Sequence, residues 1–148
     1  MHTVRIIVQR VMLLILTAMG LACSTLHAQA HNGAELVGWV RQHATPVETP
    51  TVWRMWWDSL AVECDCQPAV QFDAVELYVV QGRDFQLPRR FGHSLAAWLW
   101  DGQIVISSDR LTDSRVVKHE LLHAMFGAAN GGGHPTIFRK LGLDDDRL

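Results

Sequence analysis

The stretch Val116-Val117-Lys118-His119-Glu120-Leu121-Leu122-His123-Ala124-Met125-Phe126 decides how the chain is read. It is an apolar run that carries two histidines and a glutamate in the order His-Glu-x-x-His. On a helix, residues i and i+4 lie on one face, one turn apart. His119 and His123 then aim two imidazoles at one point, the spacing at which a helix supplies two nitrogen ligands to a zinc ion. Glu120 lies beside the first of them, where its carboxylate can reach a water on such a metal and take its proton.

Working outward from that stretch, a helix is expected from about Ser114 to Gly127 or Ala128. Thr112 or Asp113 can cap its first turn by accepting orphan N–H bonds. Gly127 and then Asn130-Gly131-Gly132-Gly133 stop it. Two histidines do not complete a catalytic zinc site, which usually takes three protein ligands and leaves a fourth position for water. No glutamate follows Glu120, and the residue six past His123 is Ala129. The only later histidine is His134, eleven past His123. The three glycines before it have little steric restriction, so the chain can reverse there and return His134 to the helix. His119, His123 and His134 are the expected Zn2+ ligands, with Glu120 as general base. Asp144 to Asp146, or His93, are the outlying alternatives for the third ligand. A short last helix over Thr136 to Leu141 precedes that acidic end.

Upstream, Ser94 to Trp100 and Gln103 to Ser107 are apolar runs around Asp101-Gly102, a hairpin signal. Val75 to Val80 is rich in β-branched residues and reads as a strand. Gly82 to Gly92 is a polar, basic loop. Glu35 to His43 reads as a helix with Leu36, Val37, Trp39 and Val40 on one face, and Ala44 to Pro50 breaks it. A second helix is expected from about Thr51 to Val62. Its Val52, Trp53, Met55, Trp56, Leu60 and Val62 give a broad apolar surface, read as core rather than as a ligand platform. The fold class is α+β: N-terminal helices, a small and mostly antiparallel sheet of at least three strands, and the central helix.

The chain has 148 residues, 49% of them hydrophobic, so one domain is expected. Residues 1–30 read as a secretory signal, with Arg5 and Arg10, then the apolar run Val11 to Ala22, then Ala28-Gln29-Ala30. That run is 12 residues long, short of the roughly 20 that span a bilayer. A second route competes: Leu21-Ala22-Cys23-Ser24 resembles a bacterial lipoprotein box, with Gly20 where that pattern usually has leucine. Both routes export the protein, soluble in one case and lipid-anchored at Cys23 in the other. Residues 31–148 are the functional domain. Without the signal, formal charge falls from −2 to −4, since the removed stretch holds two basic and no acidic residues. That balance argues against a nucleic-acid partner. Cys64 and Cys66 leave three states open: a disulfide, within the pair or between chains; free thiols; or, with less support, a metal site.

Val116 to Met125 resembles the active-site helix of the zincin-type zinc metallopeptidases. It has an aliphatic residue three before the first histidine and uncharged residues between Glu120 and His123. His119 to His123 with Gly133-His134-Pro135 is also similar to small exported bacterial proteins in which His-Glu-Leu-Leu-His precedes a Gly-His-Pro segment. The likeness covers roughly residues 103–138. Phe126 and Ala129 stand where a metzincin has glycine and histidine, no methionine follows Met125 to make a Met-turn, and no downstream glutamate supplies a gluzincin's ligand. The resemblance implies a zincin-like domain that hydrolyses peptide bonds in a peptide or protein substrate. It further implies an edge strand just before the helix that pairs with extended substrate, the place of Gln103 to Ser107. Tyr78, His93 and Arg139 are candidates for a second oxyanion donor. Two other functions fit the same residues: a non-catalytic zinc-binding or interaction module of the cell envelope, and a hydrolase of cell-wall amide bonds.

Overall fold

The computed structural model describes residues 35–88, 93–99, 102–127 and 133–144. The expected signal, Cys23, Asp145 and Asp146 lie outside these residues. Contacts divide the chain into Met1–Glu35 and Leu36–Leu148, and the fold is that of the second unit. Its elements run α1 (35–43), β1 (Thr45–Val47), α2 (Thr51–Cys64), β2 (Glu76–Val80), β3 (Phe85–Gln86), β4 (His93–Ser94), β5 (Ala96–Leu99), β6 (Gln103–Ser107), α3 (Ser114–Phe126) and α4 (Thr136–Lys140). The α+β class holds.

Four strands form one sheet in the order β1-β2-β6-β5. β1 and β5 pair antiparallel with their neighbours, whereas β2 and β6 pair in parallel, with Leu77 opposite Ile104 and Val79 opposite Ile106. The central pair explains the composition of β6. Ile104, Val105 and Ile106 are all fully buried, because a central parallel pair is covered on both faces and needs a continuous apolar run. On one face Leu77, Val79, Ile104 and Ile106 meet α2 and α3; on the other, Val105 and Leu99 meet Leu36 and Val40 of α1 with Phe85 and Leu87.

This order corrects one expectation. Gln103–Ser107 is interior, so it is not the edge that could receive an extended substrate. That edge is β5. The Ser107 N–H donates to the Leu95 carbonyl at 2.9 Å, and Ala97 and Leu99 face Val105 and Gln103 in the same register. Antiparallel pairs alternate between bonded and non-bonded. The backbone groups of Ala96 and Trp98 therefore point away from β6. The span 82–92, read as a loop, also contains β3, which pairs antiparallel with β4 through Phe85–Ser94 and Gln86–His93.

α2 is longer by two residues than its pattern suggested. Trp53, Trp57 and Leu60 are buried as core, but Met55 and Val62 are 67% and 82% exposed. The apolar surface is thus a narrower stripe than expected. Trp53 fixes the helix to the loop before α3 by donating its indole N–H to the Leu111 carbonyl at 3.0 Å. α3 then starts at Asp113, whose carboxylate accepts the Arg115 and Val116 N–H groups and also pairs with Arg110. Leu121 and Leu122 are fully buried, each at a site where truncation to alanine costs about 2–5 kcal/mol. Gly127 ends α3 with φ +61°, and a Cβ there would lie 3.0 Å from the Ala69 side chain. The positive φ calls for glycine at that position, and the close approach to Ala69 adds to the preference.

Candidate metal centre

α3 puts His119 and His123 on one face, as the i, i+4 spacing requires, and burial has made that face the inner one. The two residues are 4% and 9% exposed. Their Nε2 atoms lie 3.2 Å apart. The chain does return to the helix: His134, on the exposed lead into α4, offers a ring nitrogen within 4.8 Å of those of His119 and His123. The three side chains lie close enough to hold one metal ion, and among the described residues no other such group of histidine, cysteine and carboxylate ligands occurs.

Two of the three rings are oriented from behind. His119 Nδ1 lies 2.7 Å from the Leu143 carbonyl. A carbonyl only accepts, so Nδ1 carries the proton and Nε2 of the neutral ring presents its lone pair to the centre. His134 Nδ1 lies 3.2 Å from Asp144 Oδ1, and the other oxygen of that carboxylate accepts from Arg139 Nε at 3.3 Å. Consecutive residues, Leu143 and Asp144, thus serve two of the three histidines. The Leu143 side chain is itself buried at 5% exposure in the main core, and its N–H donates to the Phe138 carbonyl. The tail is therefore held in place by the core that α3 helps to form. Phe138, fully buried, floors the cluster with ring centroids 5.2, 4.6 and 4.9 Å from those of His119, His123 and His134. Trp98 of β5 stacks on His123 from another side at 6.1 Å.

Burial sets the electrostatics. Desolvation pushes the His123 imidazole down to about 3, helped by the neighbouring charges of His119 and His134. Desolvation also lowers His119, opposed by its bond to Leu143. Both rings are thus neutral near pH 7, the state in which imidazole is a ligand. Glu120 is 3% exposed, and burial pushes its carboxyl up to about 8, partly offset by a hydrogen bond from the Trp98 backbone N–H. That N–H is one of those β5 turns away from β6, and Glu120 occupies it.

The remaining sequence candidates fall elsewhere. Asp144, an alternative ligand by sequence, is instead the partner of His134. His93 lies in β4 by its backbone, and its side chain is outside the described residues. Tyr78 packs with the α1 side of the sheet, opposite α3, and donates to Glu76, so it is no oxyanion donor for this centre. Arg139 approaches the centre only through Asp144. Leu143, Phe138 and Trp98 were not singled out from sequence. A backbone acceptor leaves no sequence signal, and the two aromatics look like ordinary core residues. A groove of about 380 Å³ between β1 and β2, lined by residues such as Pro46, Glu48 and Val75, contains none of the three histidines. No protein family, curated protein or solved structure matches the chain.

Proposed function

We propose that the protein is a zinc-dependent hydrolase of peptide bonds, with His119, His123 and His134 as ligands and Glu120 as general base. The observation that carries this reading is the arrangement of convergent ring nitrogens with acceptors behind them. Histidines that bind metal almost always donate their other N–H to a carbonyl or carboxylate, as His119 and His134 do here. The 3.2 Å between His119 and His123 Nε2 also suits zinc. Two nitrogens bound tetrahedrally at about 2.0–2.1 Å lie roughly 3.3–3.4 Å apart.

Zinc held there would supply Lewis acidity, acidifying water and polarising a carbonyl. The chain supplies the rest. Leu143 and Asp144 keep protons on the outer nitrogens, so the inner lone pairs stay aimed at one point. Glu120 accepts a proton at its carboxylate and returns it to the leaving amine. A cation beside Glu120 favours its ionised form, opposing the burial that raises it. The outward backbone of Ala96 on β5 gives an extended peptide a place to pair beside the centre, and Trp98, whose N–H is held by Glu120, stacks on His123. Export through the signal at residues 1–30, with release or anchoring at Cys23, belongs to the same proposal and rests on sequence.

One observation favours a second reading, a non-catalytic zinc-binding module: Glu120 is deeply buried and its carboxylate is already engaged by Trp98. Metal analysis of the purified mature protein, together with a digest of a peptide library and of cell-wall peptide, separates the readings. The hydrolase contains stoichiometric zinc and cuts. Zinc without cutting leaves the module, and protein that takes up no zinc sinks both.

A further inference from the structure

Cys64 closes α2 and Cys66 lies two residues on. Their sulfurs are joined in a disulfide, with Cα atoms 5.2 Å apart. This bond ties nothing distant together. The stabilisation a disulfide gives through chain entropy grows with the loop it closes, and this loop is among the shortest a chain can form. Nor is the bond needed to hold the turn. Asp65, between the cysteines, takes the left-handed conformation at φ 51° and ψ 43°. Its N–H donates to the Val62 carbonyl at 3.3 Å, and the Cys66 N–H donates to the Ala61 carbonyl at 3.4 Å. These bonds satisfy carbonyls at the helix end and bring the two cysteines together by backbone alone. The segment beyond is held separately, by the Ala69 N–H to the Met125 carbonyl at 2.6 Å. Cys64 and Cys66 are half-buried on either side of the exposed Asp65, so one side of the pair is open to solvent.

We propose that Cys64 and Cys66 form a reversible thiol–disulfide exchange site, opened by small external thiols and reclosed without unfolding. A thiolate attacks one of the two sulfurs. The S–S bond breaks, a mixed disulfide forms, and the other cysteine departs as a thiolate that takes up a proton. A second thiolate then attacks the external sulfur of the mixed disulfide. The small thiol leaves as its own disulfide, and the second cysteine is released. Two electrons pass from two thiols to the pair, and the reverse sequence restores the bond. The site is independent of the metal reading.

The test uses the full chain in glutathione buffers of graded reduced-to-oxidised ratio. Samples are quenched in acid and alkylated, and each cysteine is assigned by peptide mass mapping. Far-UV circular dichroism is recorded in every buffer. The pair is expected to pass from oxidised to reduced within the series while the helix signal stays unchanged. Folded Cys64→Ser is expected to take up glutathione on Cys66. A pair that stays oxidised throughout, or opens only as the helix signal collapses, overturns the proposal. So does a folded Cys64→Ser whose Cys66 takes up no glutathione. If that variant does not fold, the wild-type titration decides alone.

Discussion

His119 and His123 stand on a helix of 13 residues, capped at one end and buried along most of its length, whereas His134 precedes a helix of five. The first two are placed by hydrophobic packing. The third is exposed, held by one carboxylate and by its stacking on Phe138. A truncation on the α3 side would therefore remove proposed ligands from a frame that stays folded. A truncation on the tail side would release a proposed ligand whose position depends on few bonds. The two halves should differ in how far they tolerate change.

The largest effect is expected on the helix side. His123→Ala should lower zinc affinity by about a thousandfold or more, since a structural share of zinc's binding energy goes with each ligand, measured by competition with a chelator. Near-normal affinity would remove His123 from the centre. Glu120→Gln should retain zinc and lose about 10²–10⁴-fold in hydrolysis; a variant that still cuts at wild-type rate refutes the base assignment.

Asp144→Ala tests the tail. Loss of the partner behind a histidine ligand weakens metal by about 10–100-fold, so zinc affinity should fall within that range while helix content is unchanged. Asp144→Asn, which keeps an acceptor, should recover part of it. If both variants bind as tightly as wild type, the tail half is not part of the centre.

The fourth prediction concerns the metal-free protein and pH. Burial holds His119 and His123 below 6.5, so the folded chain binds fewer protons there than the unfolded chain. Stability then falls as pH drops below about 6.5 toward 3. Glu120 has the opposite sign: raised from 4.5 to about 8, it binds more protons when folded, and stability falls as pH rises through that window. Just below 6.5 the two histidines outweigh the one glutamate, and above it only Glu120 acts. Tm measured with chelator present should peak near pH 6.5, and Glu120→Gln should flatten the alkaline side. A wild-type Tm that keeps rising through pH 8 contradicts the assignment. The smallest effect is expected at Asp113→Ala, which removes the cap of α3 and should cost about 1 kcal/mol of stability in denaturant unfolding, with zinc affinity unchanged.

The same division separates what the sequence makes legible from what it hides. The helix half is local: His-Glu-x-x-His, the Asp113 cap and the Gly127 stop all lie within a few turns, and each has one physical reading. The return of His134 was legible by elimination, as the only histidine past a run of glycines. Its support was not. Leu143 acts through a carbonyl that any residue would supply, and Asp144 resembled a ligand more than a partner. The parallel pairing of β2 with β6 was hidden because it is fixed by distant segments. Its trace is the unbroken Ile104-Val105-Ile106, where a half-exposed edge strand would alternate.

β1 has one more consequence. It is three residues long, exposed throughout, and has Pro46 at its centre opposite Tyr78. Proline offers no N–H, and a strand so short presents little ladder to a newcomer. A second chain approaching this flank finds no template for growth, so the sheet is protected there from stacking edge to edge into aggregates. Replacing Pro46 with valine would restore the missing donor and turn a blunt border into an adhesive one, a cost that would show in concentrated solution before it showed in the fold.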